Sequence, residues 1–292
     1  MTDQIKKWSE TRTASPVALP ENLATKNVRT LNPLAAPDLY YELYDNAAVK
    51  VKITDPKTID VQRYELKSNI NNPNSSAHFK VLKSPETGHH ILIAKGMDLP
   101  GRDEGAGKSG FIEDLKQQDS AEDNGCITDQ ILDAEQAYLN LLQNPEVKSI
   151  EVIGYSIGSI QANYLASVYG AKVTNIADLG VPGTGWDSGY QKFMAENFNT
   201  CAHGLFPGAY GNFADNLNKN VVGLELRMDT MGGAVGGVGT RFGKTIVLDE
   251  KDINLMGIGH VPLVYAETAR AQHNAPITEP VAISPEKQFK PF

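Results

Sequence analysis

The sequence predicts an α/β protein with a mostly parallel central sheet flanked by helices. Three observations predict it. Strand-like and helix-like segments alternate from about residue 79 to 271, several of the strand segments are short and apolar, and reactive side chains fall just after strands. In open α/β sheets ligands bind outside the carboxyl ends of the strands, so a reactive residue there is well placed for chemistry.

Phe79-Lys80-Val81-Leu82 alternates with period two, and Ile91-Leu92-Ile93-Ala94 is a continuous apolar run. Ile127, Ile131, Ala134, Tyr138, Leu141 and Leu142 recur at helical spacing over 127–142. Ile150-Glu151-Val152-Ile153 is the next strand, followed by a helical stretch over about 157–169 and a strand over 173–177. Strands at 221–226 and 245–248 and a helix over about 261–271 complete the alternation. Residues 1–35 are polar and broken by Pro16, Pro20 and Pro33, which predicts an N-terminal arm. The Asn- and Ser-rich stretch 66–78 predicts a loop, and 274–292, with Pro276, Pro280, Pro285 and Pro291, predicts a surface tail. A single domain over 36–273 remains, without internal repeats.

Hydrophobic residues make up 41% of the chain and charged residues 21%, which suits a packed core. With 35 acidic and 27 basic residues the net charge is −8, which argues against a general electrostatic grip on nucleic acid. No apolar run reaches the roughly 20 residues of a membrane helix. No apolar stretch follows Lys6 and Lys7, so no secretion signal is expected. The expectation is cytoplasmic residence, with export by a signal-independent route left open. Cys126 and Cys201 are expected as buried thiols, one disulfide being the alternative.

Between the strand at 150–153 and the helix from 157 lies Gly154-Tyr155-Ser156-Ile157-Gly158. A nucleophile on a tight strand-to-helix turn needs glycine two residues before and after it, because side chains there would strike the strand and the helix. The arrangement is similar to the nucleophile elbow of α/β-hydrolases, and Ser156 is the expected nucleophile, at the start of a helix whose field favours developing negative charge. A serine hydroxyl needs a histidine base and an acid to orient it, in the chain order Ser, Asp or Glu, His. Three histidines follow Ser156. His203 precedes the expected acid, and His273 adjoins the tail. His260, after the glycine-bearing Met256-Gly257-Ile258-Gly259 and before a helix, is the expected base. Asp229 closes the strand Leu224-Glu225-Leu226-Arg227-Met228 and is the expected acid. Asp249, after Thr245-Ile246-Val247-Leu248, is the rival.

These blocks together resemble class 3 lipases, the α/β-hydrolases related to fungal triacylglycerol lipases. Ile91–Ala94 followed by Lys95-Gly96-Met97-Asp98 is similar to the family's apolar strand ending in Arg-Gly-Thr, with Asp114-Leu115 downstream. Asp178-Leu179-Gly180-Val181-Pro182-Gly183-Thr184-Gly185 is similar to the family's Phe-Gly-x-Pro-Arg-Val-Gly, and His260 looks like its terminal histidine. The resemblance spans about 79–271. Lys95, Met97 and Gly183 depart from it, Met97 removing a hydroxyl beside the oxyanion site. The backbone N–H groups of Ile157 and Met97 are the expected oxyanion donors, and neither depends on a side chain. The resemblance implies a carboxylic ester, in particular a lipid, as substrate, transient contact with a membrane surface, and no metal or cofactor.

Seven aromatic residues crowd 186–215, among them Trp186, Tyr190, Phe206 and Phe213. They predict either a cap over an acyl chain, within 186–220, or a helix and loop packed on the core. The glycine-rich stretch 99–110 is either a flap or a plain loop. Short-ester, thioester or amide hydrolysis, and a catalytically dead binding protein, are the alternatives. Gly101…Gly107-Lys108-Ser109 and Gly237…Gly243-Lys244-Thr245 each miss the phosphate-loop spacing by one residue, which argues against a nucleotide site.

Overall fold

The computed structural model describes residues 23–96, 128–180, 213–227, 229, 241–249 and 261–281. In chain order the elements are helix α1 (Leu23–Lys26), a 3₁₀ turn (Pro33–Ala35), α2 (Ala36–Tyr44), and strands β1 (Lys50–Thr54), β2 (Val61–Asn72), β3 (Ala77–Lys83) and β4 (His89–Ala94). Then come α3 (Asp129–Gln143), β5 (Ser149–Tyr155), α4 (Gly158–Tyr169), β6 (Val173–Ile176), α5 (Phe213–Asn220), β7 (Val221–Leu226), β8 (Lys244–Leu248), α6 (Pro262–His273) and β9 (Ile277–Pro280).

All nine strands form one sheet in the order β8-β7-β6-β5-β4-β3-β2-β1-β9. From β4 to β8 neighbours are parallel, and from β4 through β1 to β9 they are antiparallel. The parallel strands follow each other in space as they do in sequence. Right-handed crossovers that always advance in one direction place their helices on one face. Accordingly α3, α4 and Leu217 of α5 pack with Leu92, Ala94, Ile150, Val152, Val173 and Val221 in one core cluster. The alternate residues, Ile91, Ile93, Ile153, Ile176, Leu224 and Leu226, face the opposite way and pack against α2 and α6. The two ends of the described chain thus cover the second face; β4 to β7 are buried on both sides, while the edge strand β8 is largely exposed.

The helices begin and end where the chemistry dictates. Thr128 accepts from the Ile131 N–H at 3.2 Å and caps α3, Pro262 opens α6, and Gly170 closes α4 in the left-handed region at φ 65°. Helices predicted over 127–142, 157–169 and 261–271 and strands predicted at 79–82, 91–94, 150–153, 173–177, 221–226 and 245–248 lie within a few residues of the observed elements.

Three polar stretches differ from expectation. Asn69, Asn71 and Asn72, expected in a loop, lie in β2 and pair with Lys80, His78 and Ala77 of β3. The face of β2 is largely exposed, so polar side chains are tolerated while the antiparallel ladder satisfies the backbone. Residues 23–35, expected as an arm, are packed along the amino edge of the parallel strands. Lys26 Nζ donates to the Leu142 and Asn144 carbonyls at 2.6 and 3.1 Å, and Asn27 Nδ2 donates to the Tyr169 carbonyl at 2.8 Å. Arg29 donates to the Val173 and Asn220 carbonyls at 2.7 and 2.8 Å. Their polarity serves as donors for the orphaned carbonyls at the ends of α3, α4 and α5. Finally Ile277–Pro280, expected in a tail, is the edge strand β9, where a proline at the last position costs no ladder bond. Residues 1–22, 186–212 and 282–292, and the glycine-rich 99–110, lie outside the described residues, as do Cys126 and Cys201. Among the described residues no helix is long and apolar enough to cross a membrane.

Candidate functional site

Ser156 stands one residue beyond β5, in the left-handed region at φ 52°, a conformation that costs a non-glycine residue about 1–2 kcal/mol. Its N–H donates to the Ile176 carbonyl of β6 at 3.0 Å, so the sheet itself holds the strained turn. Ser156 is 6% exposed, and Ile157 follows as the N-cap of α4, whose side chain makes no cap. The Ser159 and Ile160 amides of the first turn donate to the Ser156 and Ile157 carbonyls at 2.9 and 3.1 Å, which ties the serine turn into the start of α4.

Both elbow glycines are required by close approach. A Cβ on Gly154 would lie 2.7 Å from the Gly158 carbonyl oxygen and from Ser159 Cα. A Cβ on Gly158 would lie 2.5 and 2.6 Å from the carbonyl oxygens of Ala94 and Lys95, at the end of β4. The serine turn and the carboxyl end of β4 are thus pressed together. Ser159 stitches the other side: its Oγ donates to the Ser156 carbonyl at 2.6 Å and accepts from the Leu179 N–H at 3.0 Å.

Asp229 lies at the same edge of the sheet, three residues beyond β7, and is 1% exposed. Its N–H donates to the Leu226 carbonyl at 3.3 Å, and its Oδ2 accepts from the Tyr265 hydroxyl at 2.7 Å. Burial, then the neighbouring Asp229 carboxylate, pushes the Tyr265 phenol well above its ordinary range, so Tyr265 stays a neutral donor. Tyr265 is in the first turn of α6, where its N–H donates to the Val261 carbonyl. The expected acid therefore sits against the helix that opens two residues after His260. His260 and Met97 themselves lie outside the described residues. His273 ends α6, roughly 16 Å along the axis from its first residue. Asp249 is part-exposed and lies 3.7 Å from Arg227 Nε, a surface ion pair at the end of β8. A polar cavity of about 160 Å³ among Leu31, Asn32, Asp55, Asp60 and Gln62 is at the opposite, amino edge of the parallel strands.

A polar cluster beside the elbow escapes sequence reasoning. Asp178 accepts from Asn163 Nδ2 at 3.2 Å and the Gly180 N–H at 2.9 Å, and Arg241 Nε lies 2.9 Å from both the Asp178 carbonyl oxygen and Glu225 Oε1. Glu225 alternates with Leu224 and Leu226, which reads as a solvent-facing position, yet it is 2% exposed because β7 is covered on both faces. Burial pushes its carboxyl from 4.5 up to about 7, Arg241 opposing and Asp178 and Asp229 assisting. Its folded pKa is raised, so the folded protein binds this proton more tightly than the unfolded chain. The associated stability is full below about pH 4.5 and is lost as pH rises to about 7, on the order of 3 kcal/mol in all. Glu225→Gln is expected to flatten the fall in melting temperature between pH 5 and pH 8 relative to wild type. Parallel melting curves across that range would show that Glu225 does not carry it.

No protein-family model matches the chain, and no curated protein matches it.

Proposed function

We propose that the chain is a serine hydrolase of the α/β-hydrolase fold that cleaves carboxylic esters of lipids. Ser156 is the nucleophile, His260 the base, Asp229 the acid, and the N–H groups of Ile157 and Met97 the oxyanion donors. The observation that carries this reading is the strained, glycine-flanked Ser156 between β5 and α4, since a left-handed serine is held only where surrounding structure over-determines it. Asp229, buried at the same edge and bonded to the first turn of α6, supports the acid's role. The lipid class rests on the resemblance to class 3 lipases and on the aromatic stretch 186–215.

In this reading His260 takes the Ser156 hydroxyl proton as Oγ attacks the ester carbonyl. The tetrahedral oxyanion is held by the two backbone donors and by the amino end of α4. Collapse expels the alcohol, which takes the proton from His260 and leaves an acyl-serine. Water, deprotonated by the same histidine, then releases the acid and restores the hydroxyl.

The test is labelling with a fluorophosphonate, mapped to the modified residue by mass spectrometry, followed by p-nitrophenyl esters of rising chain length and by phospholipid vesicles. Modification at Ser156 is expected, with turnover rising toward long acyl chains. Turnover confined to acetate and butyrate would assign a soluble short-ester hydrolase instead. An unlabelled, folded protein in the presence of detergent would refute the hydrolase reading.

A further inference from the structure

We infer that Tyr40, on α2, is a positioning residue for the oxyanion arm; this rests on the serine-hydrolase reading. β4 ends at Ala94, and its last described bond to the sheet is the Lys95 N–H to the His78 carbonyl at 3.0 Å. The next amide, that of buried Gly96, has left the ladder and donates to the Tyr40 hydroxyl at 3.1 Å. Gly96 immediately precedes Met97, so this bond holds the backbone one residue before the expected donor.

The same ring braces the nucleophile. Tyr40 packs on Tyr155, the residue before Ser156, with ring centroids 4.7 Å apart, and stacks on Tyr44 at 4.6 Å. Gly96 in turn presses on Tyr155: a Cβ there would lie 2.6 Å from Tyr155 Cδ1. Tyr40 therefore contacts both sides of the reacting centre at once, the elbow through its ring and the β4 exit through its hydroxyl. Tyr40 is 3% exposed, and burial holds its phenol neutral, so it remains an acceptor for the Gly96 N–H with its own proton in place. No motif or periodicity read from the sequence singles out Tyr40. Its relation to residues 96 and 155 arises from the packing of α2 across the sheet.

An oxyanion donor displaced by a fraction of an ångström stabilises the transition state less while leaving substrate affinity intact. Tyr40→Phe keeps the stacked ring and removes only the acceptor. The experiment compares wild type, Tyr40→Phe and Tyr44→Phe in kcat, in KM for one p-nitrophenyl ester, and in inhibition by a trifluoromethyl ketone, per folded molecule below the melting temperature. Tyr44→Phe is the control, because its hydroxyl points to the Ile93 carbonyl at 3.4 Å and not to Gly96. The expected result for Tyr40→Phe is a kcat lower by about 10- to 100-fold, KM within twofold, and ketone binding weakened by the same factor as kcat. Tyr44→Phe should stay within threefold of wild type. Unchanged kcat and ketone binding in folded Tyr40→Phe, or equal losses in both variants, would overturn the role. Fluorophosphonate labelling that survives Ser156→Ala would remove the serine reading and Tyr40's role with it. Normal Tyr40→Phe kinetics in an enzyme that needs Ser156 would remove Tyr40's role alone.

Discussion

Ser156→Gly is expected to abolish ester turnover and yet to melt higher than Ser156→Ala. Removing the nucleophile of a serine triad lowers kcat by roughly 10⁶-fold, leaving only what binding and oxyanion donors supply. On the proposed serine-hydrolase reading both substitutions have that effect, but they differ in the backbone. Residue 156 sits at φ 52°, where alanine is as strained as serine and glycine is not. Glycine loses part of the advantage because its unfolded chain is more flexible, so the net gain is about 1 kcal/mol. For a chain of this size that corresponds to roughly 2–4 °C in melting temperature. Calorimetry on the two variants isolates the strain, since each lacks the hydroxyl. Equal melting points would mean that the turn stores no strain at this position. The expected trade is physical: the conformation that presents the serine is one that its side chain disfavours, and neighbouring contacts hold it there.

Gly158→Ala is expected to damage both stability and turnover. The added Cβ would lie 2.5–2.6 Å from two backbone carbonyl oxygens at the end of β4, and backbone cannot rotate away as a side chain can. Overpacking of this kind costs about 1–3 kcal/mol and sometimes more. Relief requires α4 and β4 to separate, which moves the serine turn away from the strand leading to Met97. A displacement near 1 Å at a reacting centre costs on the order of 100-fold in rate. Gly158→Ala should therefore lose both several degrees of stability and at least 100-fold in turnover of a p-nitrophenyl ester. Gly170→Ala is the contrast. That glycine also sits at positive φ, but its Cβ would meet nothing nearer than Asn220 Nδ2 at 3.7 Å. It should cost about 1 kcal/mol and leave kcat alone. Comparable activity losses at 158 and 170 would show that helix stability, and not the approach of α4 to β4, governs the site.

Tyr40, Tyr265 and Glu225 share one reason for being illegible in the sequence. Each acts through a partner far away in the chain: Gly96, Asp229 and Arg241 respectively. Glu225 is the clearest instance, because period-two alternation places it toward solvent while the packed layers place it in the interior. The segment 23–35 shows the same effect from the other side. Its lysine, asparagine and arginine look like loop composition, but they cap helix ends that only the folded chain brings to that edge.

The sequence by itself determined the order of strands and helices from β3 to α6, apart from α5, and the place of Ser156 between one strand and one helix. Those follow from local rules: apolar periodicity selects the element, and glycine spacing marks where a turn must be tight. Only the tertiary structure decided that α3, α4 and α5 share one face while α2 and α6 cover the other, and that the β2 stretch and β9 extend the sheet. It alone decided which carboxylates are buried, which tyrosines touch the Ser156 turn and Asp229, and that Gly158 abuts β4. The reason is range: local patterns report the conformation of neighbours in sequence, whereas burial, pKa and positioning depend on which distant surfaces meet.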